Sequence, residues 1–371
     1  MDRPQPDQVA RAGETAEAVT RPGSPPTGSP RTGSTGQTRS TLGGLLAEPE
    51  AFWRDDWRRR PVLMTPADPP LEAFRLADLD DVIDCGQLRH PYGRLKQFGV
   101  ELPPAAYTHA RRLVDQWEPG YLDPVAVRRE LAAGRTLLLS QVSEWHPPVA
   151  RLVAGLRREL GRAVEAFVFL TPPGRQAMAT HRDDADVIVL QLHGRKGWRV
   201  HGGPSPDGHW SSGACARPGP VLLETVIEPG QVLYLPRGFA HRAVGEHGLS
   251  LHLSLTIREV GAAHLREALA HHLAQDWAGP ARPLDDLALA QTARHLVDHY
   301  AARLAALAPE ELVGLARQAG VRAQEGPARA SFTEFAAALE PDQPVQPVQP
   351  VQPVQPDRPV QHVQHVQHVQ N

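Results

Sequence analysis

The fold is decided by short apolar runs between residues 181 and 257, with no helical pattern between them. These runs are Val187–Leu192 (VIVLQL), Gly197–His201 (GWRVH), Val221–Ile227 (VLLETVI), Val232–Leu235 (VLYL) and Leu249–Ile257 (LSLHLSLTI). Turn signals separate them, such as Glu228-Pro229-Gly230 and Pro236-Arg237-Gly238. Many short strands without intervening helices predict a mainly β core, built as an antiparallel barrel or jelly roll.

Helical patterns flank this β-rich region on both sides. Upstream, apolar residues recur at helical spacing in segments 45–57, 105–117, 125–131 and 148–160. Three short runs among them, at 60–64, 136–139 and 164–170, are typical of strands. After Glu259 the chain is rich in Ala and Leu and helical to about residue 319. We therefore expect one domain over 41–258, with a helical N-terminal preface, and a helical C-terminal module over 259–340.

The two ends of the chain have a different composition. Residues 1–40 are rich in Pro, Gly, Ser, Thr and Arg, with few large apolar side chains, so we expect a disordered tail. Residues 341–371 form a low-complexity tail in which Pro-Val-Gln triplets give way to His-Val-Gln triplets. A three-residue period with Pro is typical of polyproline II. This pattern favours a solvated repeat over a weak metal-binding tether.

Composition excludes several classes of protein. Of 371 residues, 41% are hydrophobic and the formal net charge is −3, so no global basic field points to nucleic acid. The two cysteines, Cys85 and Cys215, cannot form a disulfide framework or a cysteine-based zinc cluster. No apolar run approaches the roughly 18 residues of a membrane span, and the N-terminus has no apolar segment typical of a secretory signal. We expect a cytoplasmic protein without nucleic-acid or membrane partners.

The triplet His181-Arg182-Asp183 is the sharpest local motif. In an extended strand, residues i and i+2 point the same way, so His181 and Asp183 project from one face. An imidazole and a carboxylate side by side make two thirds of a facial triad, the ligand set of non-haem Fe(II) oxygenases. His241 follows a buried strand and a tight turn and supplies the third ligand. The predicted metal ligands and catalytic residues are therefore His181, Asp183 and His241.

Each part of this motif is weak when taken alone, because a polar residue at a strand edge is common. Asp184 and Asp186 compete with Asp183, but Asp184 should point to the opposite face and Asp186 lies too far along the strand. Other histidines lie nearby, and we interpret most of them as surface or outer-shell residues: His193, His201, His209, His247 and His252.

Lysine usage points to a second site. Of the 39 Lys and Arg residues, only Lys96 and Lys196 are lysines. A lysine ammonium is a compact charge that can reach into a barrel and bind a carboxylate. Lys196 is therefore a candidate for binding an anionic co-substrate such as 2-oxoglutarate, and Thr256, on the last strand, could donate its hydroxyl to the same carboxylate. The alternative is a solvent-facing lysine in a turn.

Long ordered motifs in this sequence resemble the JmjC-type cupin core of the ribosomal oxygenase family. They begin with Leu170-Thr171-Pro172-Pro173-Gly174 and His181-Arg182-Asp183-Asp184, and continue through Leu190–Val200 (LQLHGRKGWRV). The stretch from Glu228 to His241 (EPGQVLYLPRGFAH) and that from Ser250 to Thr256 (SLHLSLT) complete them. The resemblance covers roughly 41–258.

The resemblance implies a double-stranded β-helix, the cupin jelly roll, with Fe(II) held by His181, Asp183 and His241. It implies 2-oxoglutarate and O2 as co-substrates, with Lys196 pairing the distal carboxylate of 2-oxoglutarate and Thr256 assisting. Members of the family hydroxylate side chains of ribosomal proteins and dimerise through helices after the core, so a protein or peptide substrate and a homodimer are expected. The alternatives are the same chemistry on a biosynthetic peptide or small molecule, and a metal-binding cupin module without turnover.

Overall fold

The computed structural model describes residues 20–22, 40–204, 210–324 and 331–338. The predicted repeat tail at 341–371 lies outside the described residues, as does most of the predicted N-terminal tail. Within that tail, Thr20–Pro22 form a short strand, β1, which runs parallel to strand β2 (Val62–Thr65). The structure therefore differs from the predicted disorder at these three residues.

The N-terminal part combines short helices with strands at one side of the main sheet. After β2, its strands are β3 (Gly93–Gln97), β4 (Val100–Glu101), β5 (Thr108–Leu113), β6 (Gln116–Leu122) and β7 (Thr136–Leu139). Its helices are α1 (Pro49–Ala51), α2 (Leu76–Asp84), α3 (Pro124–Ala132), α4 (Val142–Trp145) and α5 (Pro147–Leu160). The helices predicted at 125–131 and 148–160 and the strands at 60–64 and 136–139 are confirmed.

The helix predicted over 105–117 is wrong. This segment lies mainly in the antiparallel pair β5–β6, with Thr108 opposite Leu122 and Leu113 opposite Gln116. Its alanines, its arginines and Leu113 favour a helix locally. The hydrogen bonds of the ladder to β6 override that preference, and Pro119 prevents a helix from continuing into β6.

The helix predicted over 45–57 is divided. Helix α1 begins at Pro49 and is followed by a π-helical turn over Phe52–Asp56, while Leu42–Gly44 form a separate 3₁₀ turn. A proline lacks the backbone N–H needed inside a helix and is tolerated only in its first turn. Pro49 therefore marks a helix start rather than an interior position.

The β core follows the predicted strands. Its strands are β8 (Val164–Thr171), β9 (His181–Arg182), β10 (Ala185–His193), β11 (Lys196–His201), β12 (Gly213–Ala214), β13 (Val221–Ile227), β14 (Val232–Leu235), β15 (His241–Gly245) and β16 (Ser250–Arg258). In the described part, the larger sheet has the order β1-β2-β14-β10-β16-β8-β7-β3-β4 and the smaller sheet β12-β9-β15-β11-β13. The core pairs are antiparallel, and the predicted jelly-roll fold class is confirmed.

The larger sheet buries both of its faces. On one face, alternate residues of β8, β10 and β16 pack against α5 and the N-terminal helices, as Val168, Leu190 and Leu253 do. The other face meets the smaller sheet, where Val189 packs with Trp198. The period of two along each strand therefore sends one set of side chains to the helices and the other set to the space between the sheets.

Three helices follow the β core, as the composition after Glu259 predicted, and they lie in the same compact unit as the core. They are α6 (Ala262–Ala274), α7 (Asp286–Ala306) and α8 (Pro309–Gln324). The predicted domain boundaries stay predictions. Helix α9 (Phe332–Ala338) belongs to a second unit. Among the described residues, no helix combines the length and apolar character needed to cross a membrane.

Candidate active site

Strand pairing brings the two predicted histidine ligands together. His181 on β9 lies directly opposite His241 on β15 in an antiparallel pair. Residues opposite each other on antiparallel strands have neighbouring side chains on one face of the sheet. The ring centroids of the two imidazoles are accordingly 4.4 Å apart, although 60 residues separate them in the sequence.

Asp183 completes the cluster. It follows β9 and lies two residues after His181, so its carboxylate is on the same side of the chain. Oδ1 of Asp183 lies 3.6 Å from Nε2 of His181, and Oδ2 lies 3.6 Å from Nε2 of His241. One potential ligand atom from each of the three residues lies within 4.8 Å of the others. The structure thus places the three predicted ligands in one cluster.

Both imidazoles are oriented in the same way by the backbone. Nδ1 of His181 lies 2.8 Å from the carbonyl oxygen of Ala179, and Nδ1 of His241 lies 3.0 Å from that of Phe239. A ring whose Nδ1–H donates to a carbonyl carries its free lone pair on Nε2, the arrangement found in metal-ligating histidines. Burial and the adjacent imidazole of His181 lower the pKa of His241 to about 4, which favours the neutral form that a metal requires.

The competing aspartates point elsewhere. The carboxylate of Asp184 forms an ion pair with Arg237 at the protein surface. Asp186 is fully buried and accepts a hydrogen bond from the hydroxyl of Tyr234 on the face that packs against the N-terminal part. The choice of Asp183 over both therefore agrees with the geometry, while its role as a ligand stays a prediction.

A cavity of about 200 Å³ opens beside the triad between the two sheets. Its wall includes the triad and inward-facing residues of both sheets. Most of these are apolar or uncharged: Leu138, Phe167, Phe169, Val187, Trp198, Leu235, Ala243, Ser254 and Thr256. Both lysines of the chain, Lys96 and Lys196, also line it. The cavity therefore combines a metal-ligand cluster with a cationic wall.

Lys196 is buried at the cavity, with 2% of its surface exposed. Its Nζ donates a 2.7 Å hydrogen bond to Oγ1 of Thr171 and lies 3.3 Å from Nδ1 of His252. Among the described residues, no carboxylate forms an ion pair with it. Burial lowers the pKa of Lys196 to about 7 because a charged group loses its hydration there. A buried cation without a counterion creates a site that favours an anion.

Aromatic rings surround this ammonium group. The imidazole of His252 stacks on Phe169 with centroids 4.9 Å apart and nearly parallel planes, and Trp198 packs against the edge of that pair. The indole Nε1 of Trp198 is buried without a hydrogen-bond partner among the described residues. An unpaired buried donor costs about 1–3 kcal/mol. Trp198 thus presents a free donor beside the cavity that it lines.

Sequence reasoning missed two of the groups that contact Lys196. Thr171, at the end of β8, provides the hydroxyl in contact with the ammonium, and His252, interpreted from the sequence only as a surface or outer-shell residue, is buried within the site. The alternation along β8 and β16 is the signal that could have found them, since Thr171 and His252 occupy inward-facing positions. Thr256 also lines the cavity, and its predicted contact with the co-substrate stays a prediction.

A family model described as the JmjC domain matches residues 143–265, which contain all three residues of the triad. The chain is also similar to human ribosomal oxygenase 1, at 35% identity over 219 residues, and to ribosomal oxygenase 2 of Bos taurus, at 29% over 215 residues. The resemblance stated from the motifs is therefore confirmed.

The match to these two relatives is partial. Each covers 56% of this chain but only 32% of human ribosomal oxygenase 1 and 44% of the Bos taurus protein. Among solved structures, the ribosomal oxygenase YcfD from Escherichia coli in complex with cobalt and 2-oxoglutarate covers 71% of this chain, and the match spans 68% of that chain. Its TM-score is 0.46 at 21% sequence identity.

Proposed function

We propose that this JmjC-domain chain is an Fe(II)- and 2-oxoglutarate-dependent oxygenase that hydroxylates an amino-acid side chain of a protein. One observation carries the proposal. A two-histidine-one-carboxylate cluster and a buried lysine that pairs with no described carboxylate line the same cavity. A facial triad suits non-haem Fe(II), and the lysine suits the free carboxylate of an oxo-acid.

The donor set fits the metal. His181, Asp183 and His241 would hold Fe(II) through two imidazole nitrogens and a carboxylate oxygen, and the carbonyls of Ala179 and Phe239 orient the rings for it. When bound, the metal would supply the activation of O2 by electrons from 2-oxoglutarate. The protein itself positions the reactants and excludes water. Asp183, whose side chain is 40% exposed, marks the side of the triad that solvent and a substrate can reach.

The other end of the cavity fits the co-substrate. Lys196 would bind the distal carboxylate of 2-oxoglutarate, with Thr171 holding the ammonium in place. The predicted assistance from Thr256 is retained as part of the proposal. The side chains around Lys196 are largely apolar, which makes an ion pair with its ammonium strong, because little water competes for the charges.

The substrate class is inferred from the relatives. The human and Bos taurus relatives carry the name ribosomal oxygenase, and this supports a ribosomal protein as the substrate of this chain. The cytoplasmic location and the absence of a nucleic-acid partner stay predictions from the sequence.

A homodimer is part of the proposal and has independent support. Helices α6 and α7 bury none of their side chains in the described structure. Leu287, Val297 and Leu304 on α7 are 69%, 65% and 53% exposed. A helix with a persistent uncovered apolar face is typical of an interface, and a second copy of this chain would cover it. Light scattering of the wild type and of Val297→Glu tests this, and a monomeric wild type would contradict it.

The function is tested by succinate formation from 2-oxoglutarate with purified protein, Fe(II) and a mixture of ribosomal proteins. We expect turnover that requires the metal, together with the mass of one added oxygen atom on a ribosomal protein. His181→Ala should abolish both signals. His193→Ala, which changes an exposed histidine at the end of β10, is the matched control. Metal binding without turnover on any substrate would favour a non-catalytic cupin module instead.

A further inference from the structure

The turn that precedes His241 is held against the segment that carries Asp183. The backbone N–H of Gly238 donates to the carbonyl of Asp183 over 3.0 Å, and that of Arg237 donates to Oδ1 of Asp186 over 3.1 Å. The same turn contains Phe239, whose carbonyl oxygen accepts from the ring of His241. The turn that orients the ring of His241 is therefore hydrogen-bonded to the segment that carries Asp183.

The carboxylate of Asp186, which takes part in this attachment, is completely buried. Its Oδ1 accepts from the hydroxyl of Tyr234 over 2.7 Å as well as from Arg237, and its Oδ2 accepts from Nε of Arg58 over 3.0 Å. A buried carboxylate is costly unless its lone pairs are occupied. These partners satisfy it, so its position is strongly constrained by the surrounding side chains.

The network continues beyond the β core. Arg58 also pairs with Oε2 of Glu259 at 2.8 Å. Glu259 accepts in addition from Arg162, after α5, at 3.1 Å and from Arg317 on α8 at 2.8 Å. Three guanidinium groups thus surround one carboxylate whose side chain is 5% exposed. The contacts form a continuous path from the C-terminal helices to Asp186.

We propose that Asp186 is a positioning residue of the metal centre, which fixes the turn at Arg237 so that the carbonyl of Phe239 orients the ring of His241. The proposal rests on the proposed function, since it takes His241 as a ligand. Asp186 does not touch the metal or the substrate. It acts through one backbone hydrogen bond, and the ion pairs through Arg58 and Glu259 hold it in place.

The affinity for cobalt(II) distinguishes a positioning role of Asp186 from a purely stabilising one. It is measured by calorimetry on the full-length protein without 2-oxoglutarate. We expect Asp186→Ala to weaken Co(II) binding by about 10- to 100-fold, the usual effect of losing an outer-shell partner. Asp186→Asn keeps an oxygen that can accept from Arg237, so it should recover most of that loss while remaining less stable to heat. The visible absorption spectrum of the bound cobalt should change in Asp186→Ala and return towards the wild-type spectrum in Asp186→Asn.

Two further variants keep the test decisive. Tyr234→Phe removes one donor to Asp186 and should also weaken Co(II) binding, by a smaller factor than Asp186→Ala. It replaces Asp186→Ala in the test if that variant does not fold. Glu130→Gln is the matched control, because Glu130 is a buried, ion-paired carboxylate on α3 that does not line the cavity. It should lower the melting temperature and leave the Co(II) affinity unchanged.

The outcomes are distinguishable. Normal Co(II) affinity in folded Asp186→Ala or, if that variant does not fold, in Tyr234→Phe would overturn the positioning role while leaving the metal centre intact. An affinity loss in Glu130→Gln that matches its loss of stability would also overturn it, because general destabilisation would then explain the effect. A wild-type protein that binds no Co(II) would overturn the proposed metal centre itself.

Discussion

The ammonium of Lys196 is hydrogen-bonded to Oγ1 of Thr171 at 2.7 Å, at the inner wall of the cavity, and forms no ion pair with a described carboxylate. A neutral hydroxyl stabilises the charge only in part. The charged ammonium therefore still loses hydration free energy on burial, and this lowers the pKa of Lys196 to about 7. This unpaired cation leads to the first three predictions.

Affinity for 2-oxoglutarate should depend on pH through Lys196. Below a pH of about 7 the ammonium is charged and binds the anion fully. Above it the affinity should fall by about tenfold per pH unit, because binding must then take up a proton. Calorimetric titration of the metal-loaded protein across this range measures the slope. In Lys196→Arg the guanidinium stays charged, so any binding that remains should be independent of pH, and an unchanged slope would contradict the assignment.

Removing the buried charge of Lys196 should weaken the binding of 2-oxoglutarate without lowering the stability of the ligand-free protein. Lys196→Met keeps the length of the side chain and removes a buried cation that pairs with no carboxylate in the described part of the chain, so the ligand-free protein should be as stable or more stable by about 1–3 kcal/mol. Binding of 2-oxoglutarate should weaken by at least about tenfold, since a charge-assisted bond of about 1.5–3 kcal/mol is lost. Urea denaturation and calorimetry measure the two effects.

The control for this variant is Lys96→Met, which changes the other lysine of the cavity. Its ammonium lies 3.7 Å from Glu101 and therefore already has a counterion. We expect a smaller effect on 2-oxoglutarate than at Lys196. An equal loss of affinity at both positions would mean that the general charge of the cavity, rather than Lys196, binds the co-substrate.

The two threonines of the cavity can be compared directly. Thr171→Val removes the hydroxyl that contacts Lys196 and should weaken 2-oxoglutarate binding about fivefold, the value of one hydrogen bond of about 1 kcal/mol. Thr256→Val changes a threonine that lines the same cavity, and we expect a smaller loss. The dissociation constants of both variants decide between them. A larger loss in Thr256→Val would support the assignment made from the sequence.

Glu259 should be a major determinant of stability. Hydrogen bonds from Arg317, Arg58 and Arg162 hold the pKa of this carboxyl well below its usual range despite burial, which opposes the charged form. Glu259→Gln leaves these guanidinium groups without their shared anion and should lower the free energy of unfolding by about 3–5 kcal/mol.

Glu259 also predicts the direction in which the stability of the protein changes with pH. Because the pKa of Glu259 is lowered on folding, its contribution is complete above the pKa of an unfolded glutamate and is lost as the pH falls below it. Urea denaturation at neutral and acidic pH should show a smaller acid loss in Glu259→Gln than in the wild type. Glu228→Gln, which breaks an exposed pair with Arg195, is the control and should change stability by less than about 1 kcal/mol.

Local patterns predicted the β core well because the signal for a strand lies within a few residues. Runs such as Val187–Leu192 and Val232–Leu235 carry side chains that are buried on both faces of the sheet, and they end at turn residues. The segment 105–117 failed for the opposite reason. Its local composition favours a helix, and only pairing with the later strand β6 makes it extended.

For the site, the sequence alone determined that His181 and Asp183 share one side of the chain, because side chains in an extended segment alternate with a period of two. Tertiary structure alone decided that His181 lies opposite His241, that Thr171 contacts Lys196, and that Arg237, in the turn before His241, donates to Asp186. Each of these contacts joins strands or turns remote in the sequence. They depend on strand order and register, which arise when the two sheets pack and no local pattern encodes them.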